Sequence, residues 1–178
     1  MFKVIFIILV VIIAGILIYA STQPDTFSVT RKLTIKASPE ILFAEINDFH
    51  RWKAWSPWEI KDPAMTRTFS GSPSGVGTIY EWNGNNDVGQ GRMEILESVL
   101  PKKIIIKLDF FKPIEGHNTA EFTFTPMPDG TLVNWEMRGP NMFIGKVMSV
   151  FMNMDKMIGT DFEAGLANLK QLTESKTQ

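Results

Sequence analysis

The side chains able to do acid–base or metal chemistry are few in this chain, and they are scattered. There is no cysteine, which removes disulfides and thiolate metal sites, and the two histidines, His50 and His117, stand far apart outside any ligand-spaced motif. Asp155 and Asp161 lie six positions apart in a segment of helical period. That puts them on different faces, so they are not a paired acid and base, and their expected work is capping the sheet edge or meeting solvent. Gly75-Val76-Gly77 and Gly89-Gln90-Gly91 are too short to cradle a phosphate, and no hydrolase elbow, zinc signature or dinucleotide fingerprint occurs. Tyr80 and Arg31 remain as the first groups to test for proton chemistry. Arg31 falls in phase with apolar residues, so it is either shifted outward by a bulge or paired inside, where it could hold a ligand carboxylate.

The rest of the sequence offers apolar surface arranged on short elements. From Phe27 to Lys36 apolar and polar residues alternate as in a half-buried strand. Ser38-Pro39 then opens a short helix, with Ser38 as the capping serine, and Asn47-Asp48 ends it. Beyond a turn-rich segment holding Phe49, Trp52, Trp55 and Trp58, six short strands are expected at about 65–70, 76–83, 90–99, 103–111, 118–125 and 131–138. Their close spacing permits only hairpins, and Asn83-Gly84 and Asp129-Gly130 suit tight primed turns. After Gly139-Pro140 the period becomes helical, carried by Phe151, Met154, Ile158, Phe162, Leu166, Leu169 and Leu172, with 142–150 as a separate helical piece. The pattern is α+β: an antiparallel meander followed by a long helix.

The N-terminus is of another kind. Thirteen of the residues from Val4 to Ile18 are Val, Ile, Leu or Phe, and Lys3 is the only charge before Asp25. A helix over 4–20 measures roughly 25 Å, and its residues favour lipid by about 4 to 8 kcal/mol in sum. A cleaved signal would have a shorter core and a better cleavage site than Ala20-Ser21-Thr22. The expected division is a transmembrane anchor over 1–21, a linker over 22–26 and one domain over 27–176. Lys3 and the terminal amine favour a cytoplasmic N-terminus while Arg31, Lys32 and Lys36 pull the other way; because the near flank, Ser21 to Thr30, carries no base, the domain of this single-pass membrane protein leans toward the outside of the cytoplasm, with both orientations open. A net charge of −1 with 21% charged residues is too balanced for a nucleic-acid partner. No cofactor or metal is expected, and the sequence carries no signal for an oligomeric state.

Several stretches resemble a known superfamily: Ile35-Lys36-Ala37-Ser38-Pro39-Glu40, Asn47-Asp48-Phe49 with Trp52, Trp55-Ser56-Pro57-Trp58, Gly75-Val76-Gly77, Tyr80-Glu81-Trp82-Asn83-Gly84-Asn85, and Met154-Asp155-Lys156-Met157-Ile158-Gly159 with Asp161-Phe162-Glu163. They look like the START-like (SRPBCC) superfamily in its polyketide cyclase/dehydrase-type branch, over nearly all of Phe27 to Glu174. The resemblance implies a helix-grip fold, in which a seven-stranded antiparallel sheet grips the C-terminal helix and leaves a cavity for an apolar ligand. It fixes a cavity and not a reaction.

On such a sheet one side chain in two faces the groove. Phase assigns Tyr80, Trp82, Met93, Ile95, Ile106, Leu108, Phe110, Phe122, Phe124, Val133, Trp135 and Met137 to the inner face, answered by Met154, Ile158, Phe162 and Leu166 of the helix. These make either a packed core or the wall of a pocket. The ligand-binding candidates are Tyr80, Trp82, Met93, Phe110, Phe122, Phe124, Trp135, Met137, Met154, Ile158 and Phe162. Trp52, Trp55 and Trp58 either cap the sheet, form a pocket entrance or lid, or meet lipid headgroups. Met148, Met152, Met154 and Met157 are either gap filling or a compliant rim. The resulting expectation is a membrane-tethered binding domain for a hydrophobic or amphipathic molecule, lipid-like or polyketide-like. The alternatives are a cyclase/dehydrase-type enzyme using the same cavity and a ligand-free interaction module.

Overall fold

The computed structural model describes residues 2–175, so the last residue of the expected 27–176 domain lies outside the described residues. Helix α1 (Phe2–Ser21) is long and apolar enough to cross a membrane and is exposed along nearly all its length; only Ala20 is buried and Ile16 half-buried. There follow β1 (Thr26–Ile35), α2 (Pro39–Ile46), a 3₁₀ turn (Phe49–Ala54), α3 (Pro57–Lys61), β2 (Thr66–Gly71), β3 (Thr78–Asn83), β4 (Gln90–Val99), β5 (Lys103–Lys112), β6 (Gly116–Met127), β7 (Gly130–Pro140), α4 (Phe143–Ser149) and α5 (Met154–Glu174). The seven strands form one antiparallel sheet in the order β1-β7-β6-β5-β4-β3-β2, and α5 lies across its concave face. This is the helix-grip arrangement.

Alternation along the strands decides which face is buried. Every inner-phase residue named above on β3 to β7 is buried except Leu108 and Phe110, which are partly so. Small residues on α5 let it sit close to the sheet. A Cβ on Gly165 would stand 2.8 Å from the Trp135 ring, and one on Gly159 would collide with the Arg31 guanidinium. Phe162 of α5 stacks on Trp135 with ring centroids 4.1 Å apart.

Local details depart from the sequence reading. Ser38 occupies the cap position of α2, but its hydroxyl makes no capping bond. Helix α5 begins at Met154, because Asn153 accepts from the Lys156 N–H at 2.8 Å, and Phe151 stays outside the helix and exposed. Asn83 pairs with Gln90, so residues 84–89 form a six-residue loop in place of a primed turn at Asn83-Gly84. In the β6–β7 hairpin Met127 pairs with Gly130, which places Pro128 and Asp129 at the turn. Proline cannot take the positive φ of a primed turn.

Candidate functional site

The concave face is filled at one end and hollow at the other. At the filled end α2 and the 3₁₀ turn drive aromatic rings onto β6. Phe43 meets Phe124 at 5.7 Å, and Trp52 and Trp55 close on Phe122 edge-on at 6.2 and 6.4 Å. The indole N–H groups of Trp52 and Trp55 donate to the carbonyls of Ile46 and Glu45, which fixes both rings. Toward the first turns of α5 the packing stops, and a cavity of about 550 Å³ opens between α3, α5 and strands β3 to β7.

Its wall is largely apolar. Of the expected ligand-binding residues, Tyr80, Trp82, Met93, Phe110, Trp135, Met137, Ile158 and Phe162 line it, together with Trp52 and Trp58 of the expected entrance. Phe122 and Phe124 do not line it, because they share the phase but sit under α2 at the filled end. Trp55 is fully buried beside them and cannot serve as a lid. Met154 faces a second hollow of about 680 Å³, which lies between α4, the chain after α1 and the β5–β6 turn. The two hollows adjoin, sharing Phe110, Met137 and Ile158. Of the four methionines near the start of α5, Met157 lines the inner cavity, while Met148, Met152 and Met154 line the second hollow.

One polar cluster stands in the cavity wall. Tyr80 Oη donates to Glu59 Oε1 at 2.7 Å, and Arg67 Nε and Nη2 reach Glu59 Oε2 at 2.7 and 2.6 Å. Glu59 and Tyr80 are both buried and both line the cavity. Burial pushes the Tyr80 hydroxyl well above its ordinary range and the Glu59 carboxylate reinforces it, so Tyr80 is a neutral phenol. The hydrogen bond that Arg67 donates to Glu59 likewise raises Arg67. Both carboxylate oxygens are thus engaged and the Tyr80 proton is committed, while lone pairs on Oη and on the carboxylate remain free to accept. At the rim Lys61 Nζ of α3 bridges to both carboxylate oxygens of Asp161 on α5 at 2.7 Å. The buried indole N–H of Trp135 has no hydrogen-bond partner among the described residues.

Arg31 points toward α5 and is paired at its partly exposed flank, and it does not line the cavity. With β1 in unbroken register opposite β7, its Nε donates to Glu163 at 2.7 Å and its Nη atoms to the Asp155 carboxylate at 3.0 and 3.1 Å. Those carboxylates occupy it, so it is not free to hold a ligand carboxylate. The hydrogen bond from Arg31 in turn lowers the Asp155 carboxyl. Asp155 meets solvent, as expected, while pairing with Arg31 of the edge strand β1, and the less exposed Asp161 pairs with Lys61 of α3. Glu59, Lys61 and Arg67 were missed as site residues. Arg67 had a signal of its own, since it lies opposite the inward Trp82 and so shares the inner phase. Among the described residues no group of three or more carboxylates and histidines is placed to hold a metal ion.

Residues 26–174 match the sequence profile of the family described as polyketide cyclase / dehydrase and lipid transport. The chain belongs to that family. No curated protein matches it in sequence. Among solved structures it is similar to protein CV1439 from Chromobacterium violaceum at 17% identity and a TM-score of 0.59, covering 85% of this chain and 99% of the other. It is also similar to a protein of unknown function, SA2116, from Staphylococcus aureus, at 16% identity and a TM-score of 0.62, covering 86% and 96%. The di-domain ARO/CYC StfQ from the steffimycin biosynthetic pathway matches at 10% identity and a TM-score of 0.62, with 85% of this chain covering 52% of that one. At these identities the likeness is one of fold.

Proposed function

We propose that this family member is a membrane-tethered binding domain for an apolar or amphipathic small molecule, held in the cavity between the sheet and α5. The observation that carries the reading is an aromatic, methionine-bearing cavity of about 550 Å³ with a single buried polar cluster, Tyr80–Glu59–Arg67. That volume lies within the roughly 300–1,000 Å³ of small-molecule sites, whose affinity comes from apolar burial and whose orientation comes from a few polar groups. Because Tyr80 Oη and the Glu59 carboxylate can only accept, the favoured guest is a ring-bearing or chain molecule with one hydroxyl or amine donor. Helix α1 serves as the tether, with the domain outside the cytoplasm, and it keeps the cavity near lipid-soluble molecules.

The test is energy transfer from the cavity tryptophans to N-phenylnaphthylamine, an apolar probe with one N–H, using the full chain in lipid nanodiscs. Saturable transfer that is lost on filling the cavity with Ala120→Phe supports the reading; transfer equal to that of empty nanodiscs sinks it. The second reading, catalysis of the cyclase or dehydrase type, draws on the buried Glu59–Tyr80 pair. Engagement of both carboxylate oxygens leaves Glu59 poorly placed to take up a substrate proton, which favours binding over turnover.

A further inference from the structure

Helix α4 and the residues after it form the most apolar exposed stretch outside α1. Over residues 142–152 Phe143, Ile144, Phe151 and Met152 are 40–69% exposed. The only charge in the stretch, Lys146, is turned inward and bonded to Asp25 at 2.5 Å. A soluble surface rarely gathers such side chains without a partner. What covers them is indicated by their neighbour. Helix α4 packs against α1, where Ile16 and Ala20, one turn apart near its C-terminal end, are the residues withdrawn from solvent. Tyr19, an interfacial residue type, lies in that same turn. If α1 spans the bilayer, the place where it leaves the hydrocarbon is the place where α4 lies.

We propose that residues 142–152 are a second membrane contact, seated in the headgroup region beside α1, and that the hollow beneath them admits molecules from the bilayer to the inner cavity. This inference rests on the reading of α1 as a membrane anchor. The hollow suits the role because it is lined both by this strip, through Ile144, Met148 and Phe151, and by Phe110, Met137 and Ile158, which it shares with the cavity. A molecule leaving the lipid would meet a mostly apolar wall, with Glu115 and Asp155 as its charged members. The other mouth, at the Lys61–Asp161 bridge, presents charges instead.

Because the chain has no cysteine, single labels are simple to place. An environment-sensitive nitrobenzoxadiazole label is put on Ile12→Cys, Phe143→Cys, Phe151→Cys or the exposed Glu81→Cys, and the full chain is reconstituted in phosphatidylcholine vesicles with or without a nitroxide-bearing lipid. A segment lying about 5–10 Å into the interface should have its emission quenched about twofold or more at 143 and 151, with 12 also quenched and 81 unaffected. Quenching at 12 without quenching at 143 and 151 leaves the anchor standing and overturns the second contact. No quenching at 12 removes the anchor reading, and this inference falls with it. For the route, Phe143→Glu should slow capture of N-phenylnaphthylamine from vesicles about tenfold, and a rate equal to that of the unaltered chain overturns it.

Discussion

Replacing Ala120 with phenylalanine distinguishes a hollow interior from a solid one by the sign of its effect on stability. Ala120 is on β6 between Ile106 of β5 and Met137 of β7, is 5% exposed and lines the cavity. In a close-packed core an added ring forces its neighbours off their rotamers and costs about 1–3 kcal/mol. Here it has about 550 Å³ to enter. Burying a phenylalanine ring contributes about 1.5–3 kcal/mol, and ordering the side chain takes back about 0.5–1 kcal/mol. The guest-free protein should therefore gain about 0.5–2.5 kcal/mol, which raises Tm by about 2–4 °C for each kcal/mol in a domain of this size. Thermal unfolding of the full chain in detergent, followed by tryptophan fluorescence, reads the shift. Titration with N-phenylnaphthylamine should show affinity reduced at least about tenfold, the equivalent of about 1.4 kcal/mol. A fall in Tm of several degrees with unchanged probe binding would refute the reasoning, because it would mean that the position is packed and the probe binds elsewhere.

Other outcomes follow from the charged groups. Glu59→Ala leaves the Tyr80 hydroxyl without its partner and Arg67 with only the backbone carbonyls of Asp62, Pro63 and Met65; breaking a buried pair costs about 3–5 kcal/mol, and those carbonyls with the 17% exposure of the Arg67 side chain place this one near the lower end. The double variant Glu59→Leu/Arg67→Met should recover most of that loss in urea unfolding, whereas equal losses in the single and double variants would show that the pair is not the cause. Tyr80→Phe should leave unchanged the phenolate absorbance gained on titrating the folded protein to about pH 11, since burial and Glu59 keep that hydroxyl protonated; a reduced gain would place Tyr80 in solvent. On the outer face, the hydrogen bond to Asp109 raises His117 above its ordinary value. A raised histidine contributes stability that is complete below its unfolded value, near 6.5, and that is lost as pH rises through the folded value. The Tm advantage of the unaltered protein over His117→Gln should accordingly be largest at about pH 5.5 and shrink toward about pH 8.5, and a constant advantage would contradict the pairing.

Period-two alternation gives the buried face of β3 to β7 for most positions, because a strand has only two faces and one of them is apolar, although Ile104 and Ala120 share that face and are not among the residues assigned to it. It did not give height along the groove. Phe122, Phe124 and Ala120 share a face of β6, yet the first two meet rings from α2 and the 3₁₀ turn while Ala120 meets the cavity. That difference is set by which helix packs over each end, and local period carries no information about it. The Glu59 cluster was hidden for a related reason. Its carboxylate comes from α3, a five-residue helix whose Ser56-Pro57 start was read as part of an aromatic turn. The same Ser-Pro signal at Ser38-Pro39 marks the start of α2 because apolar helical spacing follows it, although Ser38 makes no capping bond. The two edge strands also share a feature that phase alone left open. Arg31 on β1 and Arg67 on β2 both face inward, and each is met by a helix carboxylate, Asp155 and Glu163 for the first and Glu59 for the second. Inward charges of this kind keep a sheet edge from pairing with another chain.

The binding function depends on the interior holding an apolar guest. Native mass spectrometry of the full chain, released from detergent after gentle purification, measures that directly. The expected result is a retained adduct of a few hundred daltons that disappears on solvent extraction, reappears as an apolar hydroxyl- or amine-bearing compound in the extract, and is missing from Ala120→Phe. The bare polypeptide mass under the gentlest release, together with no saturable uptake of N-phenylnaphthylamine by that same preparation, would contradict it.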